Sequence, residues 1–151
     1  MKRSLPVVLA AWLFFSACTT NNVYEKMAFF PKHEWAKAQK DSFTFRVPDS
    51  SLYRVYFVFR HTDAYRWNNI WLNMQIKKDA DTAIRLKSEF TLADNYKGLG
   101  TAVDDVIEHR LLFDTLHTRQ PATYTFTIQQ VMREDPLQHV LNAGIRVEKV
   151  Q

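Results

Sequence analysis

Two short stretches hold side chains able to act together chemically. One is Arg60-His61-Thr62-Asp63 and the other is Glu108-His109-Arg110. On an extended chain, His61 and Asp63 at i and i+2 share one face. An imidazole beside a carboxylate is the start of a metal site, but a catalytic zinc needs a third protein ligand and an open position. The preferred reading is a turn in which Asp63 accepts backbone N–H groups while Arg60 and His61 hydrogen-bond nearby. Glu108 and His109 have the types of an acid–base pair, yet Arg110 beside them favours a charge network at the start of a strand. Arg133 and Glu134 stand where another strand ends, and Asp135-Pro136 forces an extended or turn conformation. This turn is expected to meet Arg60 or His61 across one end of the fold. Arg60, His61, Asp63, Glu108, His109 and Arg133 are therefore read as a structural polar network, with no metal.

Tyr65, Trp67 and Trp71 lie in or beside the first stretch. Aromatics at one end of a β domain can plug that end, anchor a protein interface or stack on sugar rings. They are the candidate partner or glycan surface. Within residues 95–110, Gly98 and Gly100 lack the third glycine and the phosphate-loop lysine of a nucleotide site. Asp104, Asp105 and Glu108 lack the alternation of a calcium loop. A one-turn helix with acids near its N-terminus is expected there. No Gly-x-Ser-x-Gly, His-Glu-x-x-His or paired Ser-x-x-Lys signature occurs. The chain is accordingly read as a non-enzyme without catalytic residues or cofactor.

These residues must be carried by a domain whose beginning is distinctive. Lys2 and Arg3 precede an apolar run from Leu5 to Phe15, broken only by Pro6, and Ser16-Ala17 leads into the sole cysteine, Cys18. That is the pattern of a secretory signal, too short to span a bilayer, which takes about 20 apolar residues. Phe15-Ser16-Ala17-Cys18 resembles the lipobox of bacterial lipoproteins, which implies cleavage before Cys18 and acylation of its thiol. On that resemblance residues 1–17 read as signal peptide, 18–26 as a lipidated polar tether and 27–151 as one β-sandwich domain with an N-terminal arm. Acylation would consume the only thiol, removing disulfides and thiolate chemistry. Cleavage also removes Lys2 and Arg3, lowering 20 basic residues to 18 against 16 acids. The remaining charges are interspersed, not gathered into the basic stripe that nucleic-acid binding needs. With one acid in the tether, the periplasmic face is expected rather than the cell surface.

The remaining sequence is dominated by period-two alternation. Phe43, Phe45 and Val47 alternate with polar residues, as do Tyr53, Val55, Phe57 and Phe59, then Ile70, Leu72, Met74 and Ile76. Lys78-Asp79-Ala80-Asp81 makes a hairpin turn into Ile84, Leu86, Phe90 and Leu92. Arg110–Leu116, Tyr124–Ile128 and Leu141–Val147 complete about seven strands. Half-buried strands without βα alternation imply an all-β fold, an antiparallel two-sheet sandwich; a jelly roll fits equally. Before them, Phe29, Phe30 and Trp35 read as an aromatic arm docked as a cap, and Glu34–Lys40 holds good helix formers.

Read together, several pieces resemble one family. They are the Phe-Ser-Ala-Cys18 lipobox, Trp35, Arg60-His61-Thr62-Asp63 before Asn69-Ile70-Trp71-Leu72, and Gly98-Leu99-Gly100 before Glu108-His109-Arg110. The series ends with Met132-Arg133-Glu134-Asp135-Pro136-Leu137 and Gly144–Val150. The chain resembles the GldH gliding-motility lipoproteins of the Bacteroidota. That resemblance implies a lipoprotein held in the bilayer through acylated Cys18, working with envelope protein partners in cells that use type IX secretion. It implies no activity or cofactor. The family's recurrent residues match Trp35, Arg60, His61, Trp71, Glu108, His109, Arg133 and Pro136, without assigned roles. Only Cys18 carries over as a site.

Overall fold

In the computed structural model, which describes residues 21–95 and 97–150, each period-two run is a strand. Cys18 and the signal segment lie outside the described residues. In chain order come β1 (Asn22–Phe29), one 3-10 turn (Pro31–His33), β2 (Glu34–Trp35), β3 (Asp41–Val47), β4 (Leu52–Thr62) and β5 (Asn69–Lys78). Then follow β6 (Ile84–Thr91), β7 (Ala93–Asp94), β8 (Lys97–Gly98), β9 (Thr101–Val103) and β10 (Val106–His117). β11 (Ala122–Gln130), β12 (Leu137–Gln138) and β13 (Val140–Lys149) close the chain.

One sheet runs β1-β13-β4-β10-β9 and the other β3-β11-β5-β6. Every pairing is antiparallel. Numbering just the eight long strands, the orders are 1-8-3-6 and 2-7-4-5. Each sheet thus mixes strands from both ends of the chain, the double Greek key of a jelly roll. Alternation alone left the plain sandwich and the jelly roll open; strand order selects the jelly roll.

The inner faces interdigitate around aromatic rings. Phe45 stacks on Tyr124 and Phe126 at 5.9 and 5.6 Å, and Phe57 meets Phe90 at 5.2 Å. Each such buried side chain contributes about 1.5–3 kcal/mol, so the core needs no disulfide. β13 is central and covered along most of its length. Gly144 lets β1 lie on it, since a Cβ there would fall 2.1 Å from the Lys26 carbonyl oxygen. Arg146 bridges Glu148 and Glu25, tying the same two strands.

Three expectations need correction. The polar tether does not run to Lys26, because pairing begins at Asn22, opposite Glu148. β1 is a sheet edge with an irregular exposure pattern, so it lacks the alternation that marks half-buried strands. Glu34–Lys40 is not a helix: Glu34 and Trp35 pair with Gln138 and Leu137 instead. Trp35 is fully buried and stacks on Phe30 at 4.8 Å, while Phe29 is 72% exposed. The arm therefore docks through two of its three aromatics. Asp104-Asp105 opens no helix but turns a hairpin from β9 into β10, with Asp104 at φ 55°.

Candidate functional site

The antiparallel register of β4 and β10 sorts the polar candidates onto opposite faces. Arg60 lies across from Glu108, and Phe59 across from His109. On the outer face, Arg60 Nε donates to Glu108 Oε2 at 2.6 Å and Arg110 Nε to Oε1 at 2.8 Å. Partial burial works to raise the Glu108 carboxyl, but the hydrogen bonds and charges of the two arginines outweigh it and hold the group below its ordinary value. A carboxylate held between two guanidinium groups is poorly suited to accept a proton.

On the inner face, His61 and His109 stack at 5.1 Å with their Nε2 atoms 3.0 Å apart. His61 Nδ1 lies 2.7 Å from the Thr62 carbonyl, which can only accept. Nδ1 of His61 therefore carries the proton, and its Nε2 accepts from His109 Nε2–H. His109 Nδ1 is left as a buried bare lone pair, without a partner among the described residues. Burial first, and the facing His61 second, push His109 down to about 4. Burial also lowers His61, against the hydrogen bond it donates to the Thr62 carbonyl. Gly100 permits this close packing, because a Cβ there would sit 2.8 Å from His109 Cε1. The pair is neutral and paired within the end of the core. Asp63 does not join it. Its side chain is exposed, and its backbone N–H donates to Asp105 O at 3.0 Å. Among the described residues, no group of three His, Cys, Asp or Glu side chains is placed to hold a metal ion.

The aromatic surface is rearranged too. Tyr65 is not an exposed platform: it is buried, packs edge-on against Phe59 and donates its hydroxyl to Asn69 O at 3.1 Å. Its ring also lies 4.7 Å from that of His61, so it packs into the core from the loop between β4 and β5. Trp67 Nε1 donates to Glu134 Oε2 at 2.9 Å, and Arg66 pairs with Glu134 Oε1 at 2.7 Å. Across the fold end the turn after β11 was expected to meet Arg60 or His61. The contact made is Glu134 with Arg66 and Trp67, and Arg133 itself is exposed.

Trp67 and Trp71 border an open cleft of about 430 Å³, completed by Asn69, Lys87, Val131, Met132 and Arg133. Lys87 Nζ lies 5.0 Å from the Trp71 ring centre, a cation–π contact. The Trp71 N–H points to Met132 Sδ at 3.2 Å. Met132 is set by buried Gln130, whose Oε1 accepts the Met132 N–H at 2.8 Å and whose Nε2 donates to Trp35 O at 3.2 Å. Glu134, Met132 and Gln130 were missed as site residues. Gln130 had a readable signal, since it continues the inward positions of Tyr124, Phe126 and Ile128, where a polar residue must have partners.

The sequence model of the family described as GldH lipoprotein matches residues 22–147. A gliding motility lipoprotein GldH homolog from Christiangramia forsetii is 27% identical over 147 residues, covering 91% of this chain and 90% of that protein. Looser likenesses occur among solved structures. The VP2 subviral particle of infectious bursal disease virus overlaps 87% of this chain and 31% of that one, at 13% identity and a TM-score of 0.36. Dimeric latent PorU from Porphyromonas gingivalis overlaps 85% and 13%, at 11% identity and a TM-score of 0.38. Neither overlap is close enough to assign a role. The family match spans nearly every described strand, from β1 into β13, and the chain belongs to the GldH lipoprotein family.

Proposed function

We propose that this gliding-motility-associated lipoprotein is a non-catalytic docking component of the envelope motility machinery in cells with type IX secretion. It is anchored by acyl chains on Cys18 and faces the periplasm. The carrying observation is the cleft between Trp67 and Trp71, floored by Met132 and flanked by the cations Lys87 and Arg133. Tryptophan and arginine dominate the energetics of protein interfaces, and this cleft is held in shape by Gln130 and Glu134. The imidazole pair and the Arg60–Glu108–Arg110 cluster are internally paired, which suits a scaffold rather than a reaction centre. One acyl chain holds a protein only marginally, whereas two or more make a stable anchor. The folded domain then needs no membrane-binding face of its own.

The test is crosslinking in cells that express the full acylated chain, followed by capture. The intact protein should enrich one envelope protein reproducibly, and Trp71→Ala or Arg133→Glu should reduce that enrichment at unchanged abundance. Equal enrichment by the variants, or none by the intact chain, refutes docking at this cleft.

A further inference from the structure

β6 ends the four-stranded sheet, with β5 on one side and, among the described residues, no strand on the other. Its first half is uncovered on both faces. Ile84 and Leu86 lie opposite Ile76 and Met74, so they point to the inner, apolar side of the sheet. They nevertheless remain 60% and 45% exposed, whereas Phe90 further along the same face is buried. Arg85 and Lys87 point to the outer side, and neither has an ion-pair partner among the described residues. The strand therefore offers unpaired backbone groups, an apolar row within and a cationic row without. A free edge of this kind is a template for an added strand.

We propose that the β6 edge accepts one extended segment of a partner protein, with apolar residues at alternate positions and Asp or Glu between them. The apolar residues would cover Ile84 and Leu86, and the acids would lie beside Arg85 and Lys87. Opposite charges directly across strands favour pairing and like charges oppose it. The same rule disfavours the two registers in which a second copy of this chain would cover Ile84 and Leu86 with each other. An antiparallel copy that lays Ile84 on Leu86 sets Arg85 against Arg85. One that lays Leu86 on Leu86 sets Arg85 against Lys87 twice. In the registers that cover Ile84 and Leu86 with each other, the cations oppose self-pairing and favour an acidic strand. This edge adjoins the tryptophan cleft and shares Lys87 with it, but Ile84, Arg85 and Leu86 lie outside the cleft, so a variant at Arg85 tests the edge separately.

The test uses the full acylated chain in nanodiscs of zwitterionic lipid. The probe is a synthetic peptide alternating glutamate with valine or isoleucine, compared with the same peptide carrying lysine for glutamate. The acidic peptide should bind about tenfold more tightly than the basic one and slow amide exchange over residues 84–88. The exposed variant Arg85→Glu, which leaves the tryptophan cleft untouched and is checked by an unchanged melting curve, should remove most of the preference for the acidic peptide. Binding that ignores peptide charge, or that leaves residues 84–88 unprotected, overturns the proposal. So does failure of both peptides to bind, or a dimer of the chain alone that protects those same amides.

Discussion

Acidification should destabilise this domain through His109, and the structure sets the sign and size. In the fold, burial keeps His109 neutral down to about pH 4, against an ordinary value of 6.5. Below pH 6.5 the unfolded chain takes up a proton that the folded chain refuses. The unfolded state then binds more protons, so the free energy of unfolding falls as pH falls. Stability is complete above about 6.5, declines between 6.5 and 4, and levels off below that. Each pH unit in the window contributes about 1.4 kcal/mol, so His109 alone removes about 2 kcal/mol at pH 5. His61 is lowered by burial as well and acts in the same direction. Because carboxylates such as Glu108 titrate lower in the same range, the assay must be differential. Urea unfolding followed by tryptophan fluorescence is measured from pH 7.5 to 4.5 for the intact chain and for His109→Gln. Glutamine can still donate to His61 Nε2 but does not titrate. The intact chain should lose about 2 kcal/mol more than the variant between pH 7.5 and 5. Parallel curves, or an NMR titration placing native His109 above 6.5, refute the reasoning.

Gly144→Val places side-chain atoms where Lys26 and Met27 backbone now lie. It should cost about 3 kcal/mol and speed amide exchange in β1 before β4 or β10. Trp35→Ala removes a fully buried ring stacked on Phe30. A loss of about 3–5 kcal/mol is expected, read by denaturant midpoint, with released pairing between β2 and β12. On the proposed acylation of Cys18, Cys18→Ser should move the chain from the membrane to the soluble fraction on cell fractionation, since each missing CH₂ costs about 0.8 kcal/mol of membrane affinity; retention at the membrane refutes the proposed anchor.

Elements that depend on nearest neighbours were readable in the chain. Six strands announce themselves because side chains one position apart point to opposite faces, so β3, β4, β5, β6, β11 and β13 each show two-residue alternation, whereas β10 reads as an apolar run broken by a bulge at Phe113. The turn at Lys78–Asp81 and the buried ring of Trp35 follow from equally local cues. β1 escaped because an edge strand is not required to alternate, and Asp104-Asp105 suits a helix start or a tight hairpin until β9 and β10 pair.

The amino-acid order by itself determined that this is a β domain with a single cysteine and the marks of the GldH lipoprotein family. Tertiary structure decided how its groups meet. His61 and His109 are 48 positions apart, and no spacing rule joins them; the β4–β10 register does. The same register turns Arg60 and Glu108 outward, away from the imidazoles, which separates groups that sequence had placed in one network. Tyr65 went inward and Glu134, not Arg133, closed the loop, because burial and hydrogen-bond reach are set by the partner strand across the sandwich. Alternation reports which way a side chain points, and only the packing of one sheet on the other decides what it points at.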